Sequence, residues 1–153
     1  MGVFDAPSPH AVPTDVRPDA SLDALGLTGT FPRPGWVVLD AIRDLRFTGE
    51  VVVTSSPEAR VYADRGRIYL AERLGDAALG SRLVAGGALT AEQLDQGALR
   101  IGDVEHLGRL FDRVASLNRD AVLITTEMIT DECLSWLAGE RVHDAVATPY
   151  RRH

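Results

Sequence analysis

Arg60-Val61-Tyr62-Ala63-Asp64 and Arg67-Ile68-Tyr69-Leu70-Ala71, joined by Arg65-Gly66, decide how the rest of the chain is read. Both runs alternate apolar and polar positions and are rich in β-branched and aromatic side chains, the chemistry of strands. A two-residue spacer ending in glycine supplies the positive-φ backbone that a tight hairpin turn needs. Strict alternation puts Val61 and Ala63 on one face with Ile68 and Leu70, and Tyr62 with Tyr69 on the other. One face of this sheet is therefore expected to be covered.

Outward from the hairpin, Glu50-Val51-Val52-Val53-Thr54 adds a third strand. Before it, Val38, Leu39, Ile42 and Leu45 recur at helical spacing between Trp36 and Arg46, with Pro34 at the entrance and Thr48-Gly49 after the end. Gly29-Thr30-Phe31 reads as a short strand stopped by Pro32. Residues 1–20 hold Pro7, Pro9, Pro13 and Pro18 and few large apolar side chains, so they are expected to form a disordered leader. The α+β domain is expected over 21–150, with 151–153 a frayed tail.

Downstream the pattern turns helical. Asp76 is expected to cap a helix through Leu83, Val84 and Ala85 that stops at Gly86-Gly87. Thr90 and Gln93 match a capping box, opening a helix with Leu94, Ala98 and Ile101. Asp103 is expected to open a third, with Leu107, Leu110, Phe111 and Val114. Asn118 or Asp120 opens a fourth, running toward Trp136, with a middle weakened by Ile124-Thr125-Thr126. Val146 to Tyr150 closes as a strand. The fold class is α+β: a small antiparallel sheet of the hairpin and flanking strands, a preceding helix and a following group of about four helices.

Composition removes whole classes of chemistry. The 153 residues carry a net charge of −6, and all 16 basic side chains are arginine. Without lysine there is no complete Walker A loop and no internal amine for a Schiff base. One cysteine allows neither an internal disulfide nor a multi-cysteine zinc site. The acidic balance argues against binding a nucleic acid polymer. No apolar run approaches the ~20 residues of a membrane span, and no signal peptide is legible, so a cytoplasmic protein is expected.

Phe47-Thr48-Gly49-Glu50-Val51-Val52-Val53 followed by the hairpin resembles the PATAN (PatA N-terminal-like) domain, catalogued as a bacterial domain of unknown function. That family shows a helix, a Thr-Gly turn into a strand, and a hairpin reading aromatic-x-x-Gly. A tryptophan shortly before a glycine often closes it, here Trp136 and Gly139. The resemblance covers roughly residues 25 to 150. It implies a signalling adaptor working beside receiver domains or small GTPases, with no catalytic residues. No receiver domain follows here, so the output is expected to come from a separate protein.

Leu79-Gly80-Ser81-Arg82-Leu83-Val84-Ala85-Gly86-Gly87 is similar to the repeat with which MshE N-terminal domains hold cyclic di-GMP. His106-Leu107-Gly108-Arg109-Leu110-Phe111 is a partial second copy. Ala78 stands where the repeat begins with arginine, and Phe111 and Asp112 replace Leu and Val. The resemblance implies nucleotide contacts from Leu79, Gly80, Arg82, Leu83, Gly87, Leu107, Gly108 and Arg109. The alternative is a packing module in which Leu-Gly lets helices approach closely.

Arg60, Arg65, Arg67 and Arg73 surround the hairpin, interleaved with Tyr62 and Tyr69, a composition that suits a binding surface. Glu58, Asp64, Glu72 and Asp76 could equally pair with them in a solvated lattice worth little. Cys133, near Leu134, Leu137 and Met128, reads as a core side chain. His106 and His143 read as solvated, and Asp131-Glu132 and Asp103-x-Glu105 as helix N-terminal acids. No cofactor, metal or catalytic residue is expected. The leading expectation is a non-enzymatic adaptor that offers Arg60, Tyr62, Arg65, Arg67 and Tyr69 to a protein partner. The alternative is a cyclic-dinucleotide sensor.

Overall fold

Val51 and Val53 of strand β2 (Gly49–Thr54) are fully buried between two antiparallel neighbours, β3 (Ala59–Asp64) and β8 (Asp144–Pro149). A computed structural model of the chain describes residues 32–102 and 104–149. The expected leader, the 29–31 strand, Asp103 and the tail from Tyr150 lie outside the described residues. Within 21–150, the chain separates into two compact units: residues 32–75 with 130–149, and Asp76–Ile129.

The first unit is a four-stranded antiparallel sheet ordered β4-β3-β2-β8, where β4 is Arg67–Arg73. Its buried face is built mostly of small residues: Ala59, Ala63, Ala71, Ala145 and Ala147 beside the three valines of β2 and β3. Against it pack helix α1 (Gly35–Asp44), through Val38 and Ile42, and the second half of helix α5 (Arg119–Ala138), through Cys133 and Leu137. Alanines under large helix side chains let the layers interlock at interior density. Each fully buried Ile or Leu contributes roughly 1.5–3 kcal/mol. A short pairing of β1 (Arg33–Pro34) with β7 (Arg141–Val142) ties the entrance of α1 to the end of α5.

The hairpin forms where expected, with one difference. The register runs Tyr62↔Leu70 and then Ala63↔Ile68, so Tyr69 is an extra residue in a bulge. Beyond it every side chain changes face. Leu70 therefore lies opposite Tyr62 rather than with Val61, and Ala71 takes the core position. Helix α1 stops at Asp44, leaving Leu45 at its C-terminus and 49% exposed. The last strand begins at Asp144, two residues before Val146.

The second unit holds α2 (Leu79–Ala85), α3 (Ala91–Gly97), α4 (Leu110–Arg113) and the first half of α5. Leu83, Leu89, Leu94, Leu110 and Val114 form its core with Val122. Thr90 and Gln93 make the expected capping box: the Thr90 hydroxyl accepts from the Gln93 N–H at 3.1 Å, and Gln93 Oε1 accepts from the Thr90 N–H at 2.9 Å. Asn118 Oδ1 caps α5 by accepting from the Ala121 N–H at 3.1 Å. Such caps are worth about 1 kcal/mol each.

Three expectations here are corrected. Ala78, not Asp76, occupies the N-cap of α2, and the Asp76 carboxylate instead faces Arg82 at 3.6 Å. Helix α3 ends at Gly97, and Ile101 lies in strand β5 (Leu99–Ile101), paired with β6 (Val104–His106). The helix expected from Asp103 is thus a hairpin turning at Gly102, whose φ is +62°, followed by the single helical turn of α4. The β-branched stretch Ile124-Thr125-Thr126 stays helical, and the Thr126 hydroxyl donates to the Val122 carbonyl at 2.8 Å.

Candidate functional site

The tip of the β3–β4 hairpin has positive φ at both central residues, Arg65 at +53° and Gly66 at +83°. That pair defines a type I′ turn, which matches the twist of the strands but strains any side chain at its first position. Gly66 fits because a Cβ there would meet the Arg43 carbonyl oxygen at 2.8 Å. Two hydrogen bonds pin the tip to the segment entering β2. The Gly66 N–H donates to the Phe47 carbonyl at 2.9 Å, and the Arg65 N–H donates to Thr48 Oγ1 at 2.8 Å. Thr48 is thus the side chain that fixes the tip, a role its place in the sequence does not announce. The Thr-Gly pair was visible, but its partner lies 17 residues away.

The arginines around the hairpin fall into two groups. Arg60 sits 3.9 Å from both Glu50 and Glu58. Arg73 pairs with Glu132 at 3.1 Å and lies 5.1 Å from the centre of the Trp136 ring. These two belong to the lattice that Glu58 suggested. Glu132 thereby has a role in the second half of α5, far from its N-terminus, so the dipole reading of Asp131-Glu132 is corrected. Arg65 and Arg67 are exposed, and neither forms an ion pair among the described residues.

Beside them, the Tyr62 and Tyr69 rings lie 6.3 Å apart and tilted by 35°. Both are half-buried. Burial, followed by the nearby Glu50 and Glu72 carboxylates, pushes the Tyr62 phenol up to about 12. The result is a fixed aromatic platform next to two solvent-facing guanidinium groups.

The Leu-Gly residues do not form two equivalent copies. Leu79, Gly80, Arg82 and Leu83 lie within α2, and Gly87 follows its end with φ +76°. Gly80 is buried, and a Cβ there would overlap the Glu105 carboxylate and crowd the Leu94 methyl at 2.7 Å. Leu107 packs on the unit's core, whereas Gly108 and Arg109 occupy an exposed turn before α4, where a Cβ on Gly108 would meet nothing. Arg109 lies 3.7 Å from Asp112. The first Leu-Gly is a close-packing element and the second is a loop.

Cys133 is buried in the first unit's core, while Met128 is 66% exposed and not beside it. His106 and His143 are exposed. Glu105 lies in β6, not at a helix start, and holds Arg100 at 3.0 Å. Among the described residues no group of three or more His, Cys, Asp or Glu could hold a metal ion, and no helix is long and apolar enough to cross a membrane. Fold and site together define an α+β protein in two units with an exposed, arginine-tipped hairpin on the first. The chain matches no family model, no curated protein and no solved structure.

Proposed function

We propose that this chain is a non-enzymatic bacterial signalling adaptor of the cytoplasm that works by protein–protein contact. It presents Arg65 and Arg67, with Tyr62 and Tyr69 beside them, to an acidic face of a partner such as a receiver domain or a small GTPase. One observation carries the reading. Arg65 holds a positive-φ turn position that Asn, Asp or Gly would occupy at lower conformational cost, and its guanidinium faces solvent. Strain of that kind concentrates at functional sites. Arg60 contributes at the margin, shared with Glu50 and Glu58.

The cyclic-dinucleotide reading has weaker support. Arg82 faces Asp76, Gly80 is consumed by packing, and Arg109 stands in a differently shaped segment. For the adaptor, affinity capture is compared between the native chain and the double variant Arg65→Glu/Arg67→Glu. A captured partner that is lost with the charge reversal, at unchanged circular dichroism, supports it. Capture that survives the reversal contradicts it.

A further inference from the structure

The first half of α5 carries large apolar side chains where solvent would ordinarily meet polar ones. Leu123 is 53% exposed, Ile124 60% and Met128 66%. Asp120, Ile124 and Met128 follow one another at i, i+4 spacing, and Leu123 and Glu127 form the adjacent row. The five residues therefore make one continuous face along about 12 Å of helix. Asp120 and Glu127 are exposed and form no ion pair among the described residues. Single exposed apolar residues are ordinary, but three on one face interleaved with uncompensated charge mark a contact surface.

Folding does not explain the choice of residues. Val122 already supplies this segment's contact with the second unit's core. At an exposed helical position Ile is a poorer helix former than Ala, Glu or Arg, and here Thr125 and Thr126 follow it.

We infer that this face of α5 binds an amphipathic helix whose apolar stripe is flanked by lysine or arginine. Leu123 lies on one side of the Asp120–Glu127 pair and Ile124 with Met128 on the other, so the apolar residues seat the stripe while the two carboxylates attract and orient its basic groups. A second copy of this chain fits poorly, because a symmetric pairing would bring Asp120 and Glu127 of both copies together, and Arg119, the cation in the row of Leu123 and Glu127, is held over the Phe111 ring at 4.4 Å. The face belongs to the second unit and the arginine hairpin to the first, and the face selects a partner of opposite charge.

The test uses the full chain and a labelled synthetic peptide with leucines at helical spacing and lysines along both flanks, followed by fluorescence anisotropy. Saturable binding that weakens with added salt is expected. Ile124→Ser/Met128→Ser and, separately, Glu127→Lys should each weaken it about tenfold. Asp44→Lys, an exposed change on α1, should leave it unchanged. Glu127→Lys keeps the test valid if the double variant folds poorly. The inference is overturned if binding does not saturate, or if all variants bind alike. It is also overturned if a glutamate-flanked peptide binds equally well, or if sedimentation shows a dimer that Ile124→Ser/Met128→Ser dissolves.

Discussion

The backbone N–H of Arg65 donates to the hydroxyl of Thr48 at 2.8 Å, joining the hairpin tip to the turn that leads into β2. This bond helps hold an L side chain at φ +53°. Arg65→Asn should therefore raise stability by about 1 kcal/mol, because Asn accepts the left-handed conformation more readily. Thr48→Val should lower it by about 0.5–1.5 kcal/mol by removing the acceptor. Urea unfolding of the two variants measures both, and partner capture by Arg65→Asn should fall even as its stability rises.

Tyr62 makes a pH prediction. Its phenol ionises near 12 in the folded protein against about 10 in an unfolded chain. Between those values the folded state holds the proton more tightly, so this contribution is intact below pH 10 and is lost as pH rises toward 12. Ultraviolet titration should show a late phenolate phase that Tyr62→Phe removes. A native protein lacking that phase would contradict the burial of Tyr62 against Glu50 and Glu72.

Cys133 is 1% exposed in the first unit's core. A thiol reagent should therefore label the native protein only at the rate at which that core opens, and instantly in denaturant. Cys133→Ser should cost about 1–3 kcal/mol, because it buries a hydroxyl in place of a sulfur. Rapid labelling without denaturant would show that the packing of α5 on the sheet is wrong.

Arg82 and Gly80 are committed to Asp76 and to packing. Calorimetric titration with cyclic di-GMP should accordingly be flat for the native chain. Saturable binding weakened by Arg82→Ala would restore the sensor reading.

The sequence displayed its fold most clearly where local chemistry is self-sufficient. Gly66 between two β-branched runs marks the hairpin, Val38 and Ile42 mark the buried face of α1, and Thr90 with Gln93 marks the start of α3. It was silent where a feature depends on distant partners or very few residues. The bulge at Tyr69 arises from pairing with β3, and no local pattern announces that Leu70 changes face. Strands β5 and β6 have three residues each, too short to show a period, so Ile101 reads in sequence as part of a helix pattern. At the site, the arginine and tyrosine composition was legible. Which arginines remain open was not, since Arg73 is claimed by Glu132, 59 residues away.

The proposed function rests on a contact between the Arg65–Arg67 tip and a protein partner. Its most direct test places a photo-crosslinking amino acid at Tyr69 in the full chain, in cells, and identifies the adducts by mass spectrometry. The expected result is a discrete adduct mapping to an acidic surface of one protein, abolished by Arg65→Glu/Arg67→Glu. Absence of any adduct at position 69, or the same adducts after charge reversal, would contradict it.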